Sequence, residues 1–179
     1  MNSPLGSRAR YALSLALLLG WGTWFGALMA LFFFVQVLFK LDRPVAVKAA
    51  PLMFVTFETF QLVLGAVCLI ATAIWRLRAP RAILTATFAL LCIASIAAII
   101  PPIAITPKME ALRHAGESGS PAFMRLHGIS MIFYMSEAIS LLVVGLLLPK
   151  VLAASPGTAS ESAAGSAPLA DAADQSRAT

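Results

Sequence analysis

Glu58 and Glu137 are the residues best placed to do chemistry. Each is the lone charge in a long apolar run, Pro51 to Trp75 for the first and Leu126 to Pro149 for the second. An acid facing lipid costs several kcal/mol, so acids in such runs face a protein interior or a water-lined cavity. Their neighbours repeat at helical spacing. Glu58, Gln61, Gly65, Cys68 and Thr72 lie 3, 4, 3 and 4 residues apart, and His127, Ser130, Tyr134 and Glu137 lie 3, 4 and 3 apart. Either series forms one face of a helix. Gln36 adds an amide late in the first run. No basic residue lies inside any run to pair with the acids. Two chemistries fit: reversible binding of a proton, cation or small solute, or carboxyl and amide groups bonding across helices as glue.

A second group surrounds the last loop: Met109, His114, Met124, His127, Met131 and Met135. Thioether and imidazole ligands suit soft metals such as copper, and His114, His127, Met124 and Met131 are the residues such an ion would use. The plainer reading is favoured: methionines fill apolar segments and His127 sits at a membrane boundary. No metal and no cofactor is therefore expected. A haem held by two histidines is disfavoured because His114 falls in a loop. The sequence has no Ser-His-Asp arrangement, zinc motif, phosphate-binding loop or dinucleotide fingerprint, and a non-enzymatic role is expected.

The elements that must position these residues are four apolar runs, about 11–39, 51–75, 81–105 and 126–150. A bilayer core takes about 20 residues of helix to cross, and only a helix or closed barrel satisfies the backbone there. Of the 179 residues, 60% are hydrophobic and 12% charged, with a mean hydropathy of +0.88. The net charge of +5 comes from loop residues that meet lipid headgroups, with no aromatic-interleaved patch to suggest nucleic acid. Cys68 and Cys92 fall inside spans and read as small apolar fillers. The first run is too long for a signal peptide and holds Trp21 and Trp24, so it reads as a retained helix. The fold class expected is all-α, an antiparallel four-helix transmembrane bundle over residues 11–151. A short basic segment, 1–10, precedes it, and a disordered Ala/Ser-rich tail, 152–179, follows.

Pro51, Pro80 and Pro121 each suit the first turn of a helix, with Ser120 as an N-cap for the last one. Pro101-Pro102 should end or kink the third helix, and a short surface helix is expected from Lys108 to His114, closed by Gly116. At 1.5 Å per residue, Gln36, Glu58 and Glu137 lie roughly 6, 10 and 16 Å from the same membrane face. A polar pocket of Gln36, Glu58, Gln61, Ser130, Tyr134 and Glu137 follows, between the first, second and fourth helices. The third helix, with Thr85, Thr87, Cys92 and Ser95, adds little to it. Gly22, Gly26 and Ala30 form a small-residue stripe. Packing within the bundle is the favoured use, ahead of a dimer or a partner helix. Loop charges are nearly balanced, and the basic turn Arg76–Arg81 places the termini in the cytoplasm. Ala- and Arg-rich composition points to a bacterial inner membrane.

The segment Gly20-Trp-Gly-Thr-Trp-Phe-Gly26 resembles the first helix of a four-span family of unknown function that includes transmembrane protein 205. Ile105-Thr-Pro-Lys-Met-Glu-Ala-Leu-Arg113 and Phe123-Met-Arg-Leu-His-Gly-Ile-Ser130 carry the same resemblance, over about residues 11–150. Relatives often have a proline late in the first helix, where this chain has Gln36-Val-Leu-Phe39. The resemblance draws attention to Pro107, Arg113, His127, Gly128 and Ser130 and implies a small polytopic membrane protein without settled biochemistry. The reading that results is a membrane protein with an intramembrane polar site for a proton, cation or small solute. An accessory subunit packing through the glycine face is the first alternative, and a copper- or haem-related redox component the second. Expected partners are the lipid bilayer and a second copy or partner helix.

Overall fold

The computed structural model describes residues 6–153; residues 1–5 of the basic segment and 154–179 of the expected tail lie outside them, while Leu152 and Ala153 belong to the last helix. Among the described residues five α-helices follow one another: α1 (Ser7–Leu41), α2 (Arg43–Arg78), α3 (Ala82–Ile100), α4 (Thr106–His114) and α5 (Pro121–Ala153). A π-helical turn, Pro101–Ile105, joins α3 to α4 into one continuous run. α1, α2, that joined run and α5 are each long and apolar enough to cross a membrane. Neighbouring helices run antiparallel and close a ring in the order α1, α2, α3, α5, with α1 and α5 approaching least closely. This is the expected all-α four-helix membrane bundle.

The connections show why the chain turns where it does. Asp42 alone separates α1 from α2, and it serves both. Its backbone N–H donates to Leu38 O at 2.9 Å, and its carboxylate accepts from Val45 N at 3.0 Å. Pro44 occupies the first turn. Helix α2 thus starts well before Pro51, where a loop was expected, because an Asp-x-Pro cap outranks a later proline as a start signal. Pro80 lies in the turn before α3 and not inside the helix. At α5 the expectation holds: Pro121 opens the helix, and Ser120 Oγ accepts from Phe123 N at 3.2 Å. Helix α4 begins at Thr106 and ends in a glycine cap. Gly116 has φ 77°, with Glu117 N bonded to Leu112 O and Gly116 N to Arg113 O.

Buried faces follow the helical period. On α1 they are Leu17, Gly20, Trp24, Leu28, Leu31 and Val35. The α2 stripe Glu58, Gln61, Gly65, Cys68 and Thr72 is buried throughout. Lipid tails are as apolar as leucine, so association rests on close packing and interhelical hydrogen bonds. Three glycines allow the closest approaches. A Cβ on Gly20 would meet Cys68 Sγ at 2.8 Å, one on Gly65 would meet the Trp24 ring at 3.1 Å, and one on Gly145 would overlap the Trp21 indole.

Gly22 and Gly26 are not among them. Both are exposed, with nothing within 4 Å of an added Cβ, so this stripe does not pack inside the bundle as expected. At 100° per residue they lie on the far side of α1 from Trp24 and Leu28, and those large side chains take the inward face. Ala30 is partly buried.

Candidate functional site: buried carboxyls between α1, α2 and α5

Glu58 is 4% exposed and Glu137 fully buried. Each is held by neutral donors from other helices. Glu58 Oε1 accepts from Tyr134 Oη on α5 at 3.0 Å and from Thr106 Oγ1 on α4 at 2.8 Å. Glu137 Oε1 accepts from Trp24 Nε1 on α1 at 2.7 Å. Its second oxygen, Oε2, is buried without a partner among the described residues. Tyr134 and Glu137 share one face of α5, one turn apart, so this face presents a phenol to Glu58 and then an acid to Trp24. The Tyr134 ring is fixed by aromatic neighbours. Phe32 stands edge-on at 6.2 Å and Phe54 lies tilted at 5.3 Å.

Of the six residues expected to form the pocket, Glu58, Gln61, Tyr134, Glu137 and Ser130 are buried. Gln36 is exposed and lies outside it. It sits one residue past Val35 on the buried α1 stripe, which rotates it about 100° away. Trp24 is the α1 residue that enters the site. The periodicity of Leu17, Gly20, Trp24, Leu28, Leu31 and Val35 is the signal that places it inward.

The third span also contributes more than expected. Pro102 has no N–H, so the carbonyl of Ala98 loses its helical donor. Gln61 Nε2 takes that place at 3.2 Å. Removing the amide would leave a buried carbonyl unsatisfied, at a cost of about 1–3 kcal/mol. The π turn that follows adds a residue to the register, with Thr106 N bonded to Pro101 O. This shift carries Thr106 round to Glu58. Such turns recur at functional positions. On α3 itself Ser95 and Thr87 are buried, whereas Thr85 is exposed and accepts from Arg76 Nε at 3.2 Å.

The two tryptophans of α1 bridge the wide seam to α5. Trp21 Nε1 donates to Leu141 O at 2.7 Å, over Gly145, while its ring stacks on Phe25 at 5.9 Å. Trp24 reaches Glu137 one turn deeper.

The loop residues gather differently. Arg113 pairs with Glu110 and lies over the Phe123 ring at 5.7 Å, and His127 stacks on the same ring at 6.4 Å. Phe123 thus joins Arg113 and His127. Pro107 and Gly128 are exposed. Of the residues a metal would use, His114, His127 and Met124 are exposed and Met131 is partly buried. Among the described residues no group of three or more His, Cys, Asp or Glu side chains is arranged to hold a metal ion.

No curated protein and no solved structure matches the chain. The family described as a domain of unknown function, DUF4149, matches residues 13–118. That stretch covers nearly all of α1 together with α2, α3 and α4, including Glu58, Gln61, Pro107 and Arg113. It ends before α5, short of the 11–150 implied by the resemblance, and leaves His127, Gly128, Ser130, Tyr134 and Glu137 outside the match. With more than half its length matched and four helices able to cross a bilayer, the chain belongs to the DUF4149 family and is a multi-pass membrane protein.

Proposed function

We propose that the protein is a non-enzymatic carrier or binder of a proton or small cation, acting at Glu58 and Glu137. The observation that carries this reading is that both acids are buried among spans and, among the described residues, receive only neutral donors, from Thr106, Tyr134 and Trp24. A carboxylate so placed needs a positive charge to offset it, and no lysine or arginine lies in the apolar cores of the spans, residues 11–39, 51–75, 82–106 and 126–149, to supply one. A proton or small cation meets the need and can leave again. The basic turn from Arg76 to Arg81 supports cytoplasmic termini, and the composition a bacterial inner membrane.

Flux tests the proposal. Full-length protein in liposomes, under an imposed proton gradient or gradients of monovalent cations, is expected to dissipate at least one of them. Glu58→Gln should lower the rate at least tenfold, because the amide keeps the shape and the acceptor but cannot take up the charge. Flux equal to that of protein-free liposomes, or unchanged by Glu58→Gln, would remove the acids from the mechanism.

The exposure of Gly22 and Gly26 favours a second reading, an accessory subunit that holds a partner helix against the outer face of α1. Gly26→Leu is then expected to break a co-purifying complex while leaving the thermal unfolding of the bundle unchanged; a complex that survives the substitution sinks this reading.

A further inference from the structure

A cavity of about 120 Å³ lies at the seam of α2 and α3, walled by Trp24, Gln61, Gly65, Ser95 and Ala98. Its walls are apolar except at two side chains. Gln61 is fully buried and Ser95 is 8% exposed, and Gln61 Oε1 and Ser95 Oγ have no partner among the described residues. Both atoms are held in place. The Ala98 carbonyl requires a donor, which fixes the amide nitrogen of Gln61 there and leaves the amide oxygen free. Ser95 Oγ stands 3.3 Å from where a Cβ on Gly65 would be, so the hydroxyl is directed across the seam at α2. Gly65 keeps the space open, and a side chain there would press on Trp24 and Ser95 together. The partly buried Leu69 and the exposed Leu62, Ala66 and Ile99 complete the lining, so the mouth faces lipid.

We infer that this cavity binds an uncharged, membrane-soluble hydroxyl compound about the size of phenol. One hydroxyl group answers both polar atoms, donating to Gln61 Oε1 and accepting from Ser95 Oγ. The ring lies against the Trp24 indole. An apolar cavity of about 150 Å³ accommodates benzene; at about 120 Å³ this one takes the hydroxyl and most of one ring, and the remainder projects through the mouth. No charged side chain lines the cavity, which sets it apart from the carboxyl site. The Trp24 indole stands between the two, with its ring on the cavity and its Nε1 on Glu137.

The test is a titration of full-length protein in lipid nanodiscs with 4-fluorophenol, followed by fluorine NMR against protein-free nanodiscs. Saturable binding is expected, displaced by phenol and not by toluene at equal membrane concentration. Ser95→Ala should weaken it about three- to tenfold, the share of one hydrogen bond. Ala66→Phe, at the exposed mouth, should block it without disturbing the core. Glu58→Gln should bind as the wild type does, whether or not flux is lost, so the two sites fail or succeed separately. Signal no different from protein-free nanodiscs, equal displacement by toluene, or full affinity in Ser95→Ala or Ala66→Phe would overturn the inference.

Discussion

Trp24→Ala is expected to lower the stability of the bundle by about 3–5 kcal/mol, the range for truncating a buried tryptophan. The side chain is fully buried and spans the centre of the ring of helices, touching α2 at Gly65 and α5 at Glu137. Removing it leaves a void and takes away the donor to Glu137, whose other oxygen already has no partner among the described residues. Trp24→Phe separates the two losses. The ring keeps most of the packing and the missing N–H alone should cost about 1–3 kcal/mol. Unfolding by steric trapping in bicelles measures both. A loss below about 1 kcal/mol for alanine would mean that the indole does not occupy the centre.

Gly145→Ala should destabilise the protein by about 1–3 kcal/mol, as expected when a packed interior is overfilled. Its methyl would overlap the Trp21 indole. That ring cannot simply swing aside, since it is tied to Leu141 O and stacked on Phe25. Relief requires α1 and α5 to part along their loosest seam. Gly22→Ala and Gly26→Ala, made in open space, should change stability by less than about 0.5 kcal/mol. The same unfolding assay on all three variants checks the contrast. If Gly26→Ala is as harmful as Gly145→Ala, the assignment of inward and outward faces on α1 is wrong.

The architecture was legible because lipid leaves the backbone few options and the runs are long. The α2 stripe was legible for a related reason: five polar or small residues at one helical period rarely point outward together. On α1 the same logic misled. Gln36 was read inward as the polar residue, and Gly22 and Gly26 as the packing surface. The inward face is instead set by Trp24, Leu28 and Leu31, whose bulk fills the core of the bundle. Thr106 was hidden for another reason. Its place beside Glu58 depends on the extra residue of the π turn, and prolines announce a break in the ladder without stating which way the following helix rotates. The bond from Gln61 to Ala98 could have been found, since Pro102 names the orphaned carbonyl in advance.

Trp24 and Glu137 lie 113 residues apart in the chain, and Glu58 and Tyr134 lie 76 apart. A ribosome delivers these partners in sequence, and domains form from the N-terminal side as synthesis proceeds. The α1–α2 hairpin, closed by the single residue Asp42, is complete while α5 is still unmade. Until the last span leaves the translocation machinery, Trp24 and Trp21 have no acceptor and Glu58 lacks the Tyr134 phenol. The buried acid site is thus completed only by the final insertion step, and a chain stopped after α4 would carry three of the four spans, with Glu58 held by Thr106 alone and Trp24 without its acid.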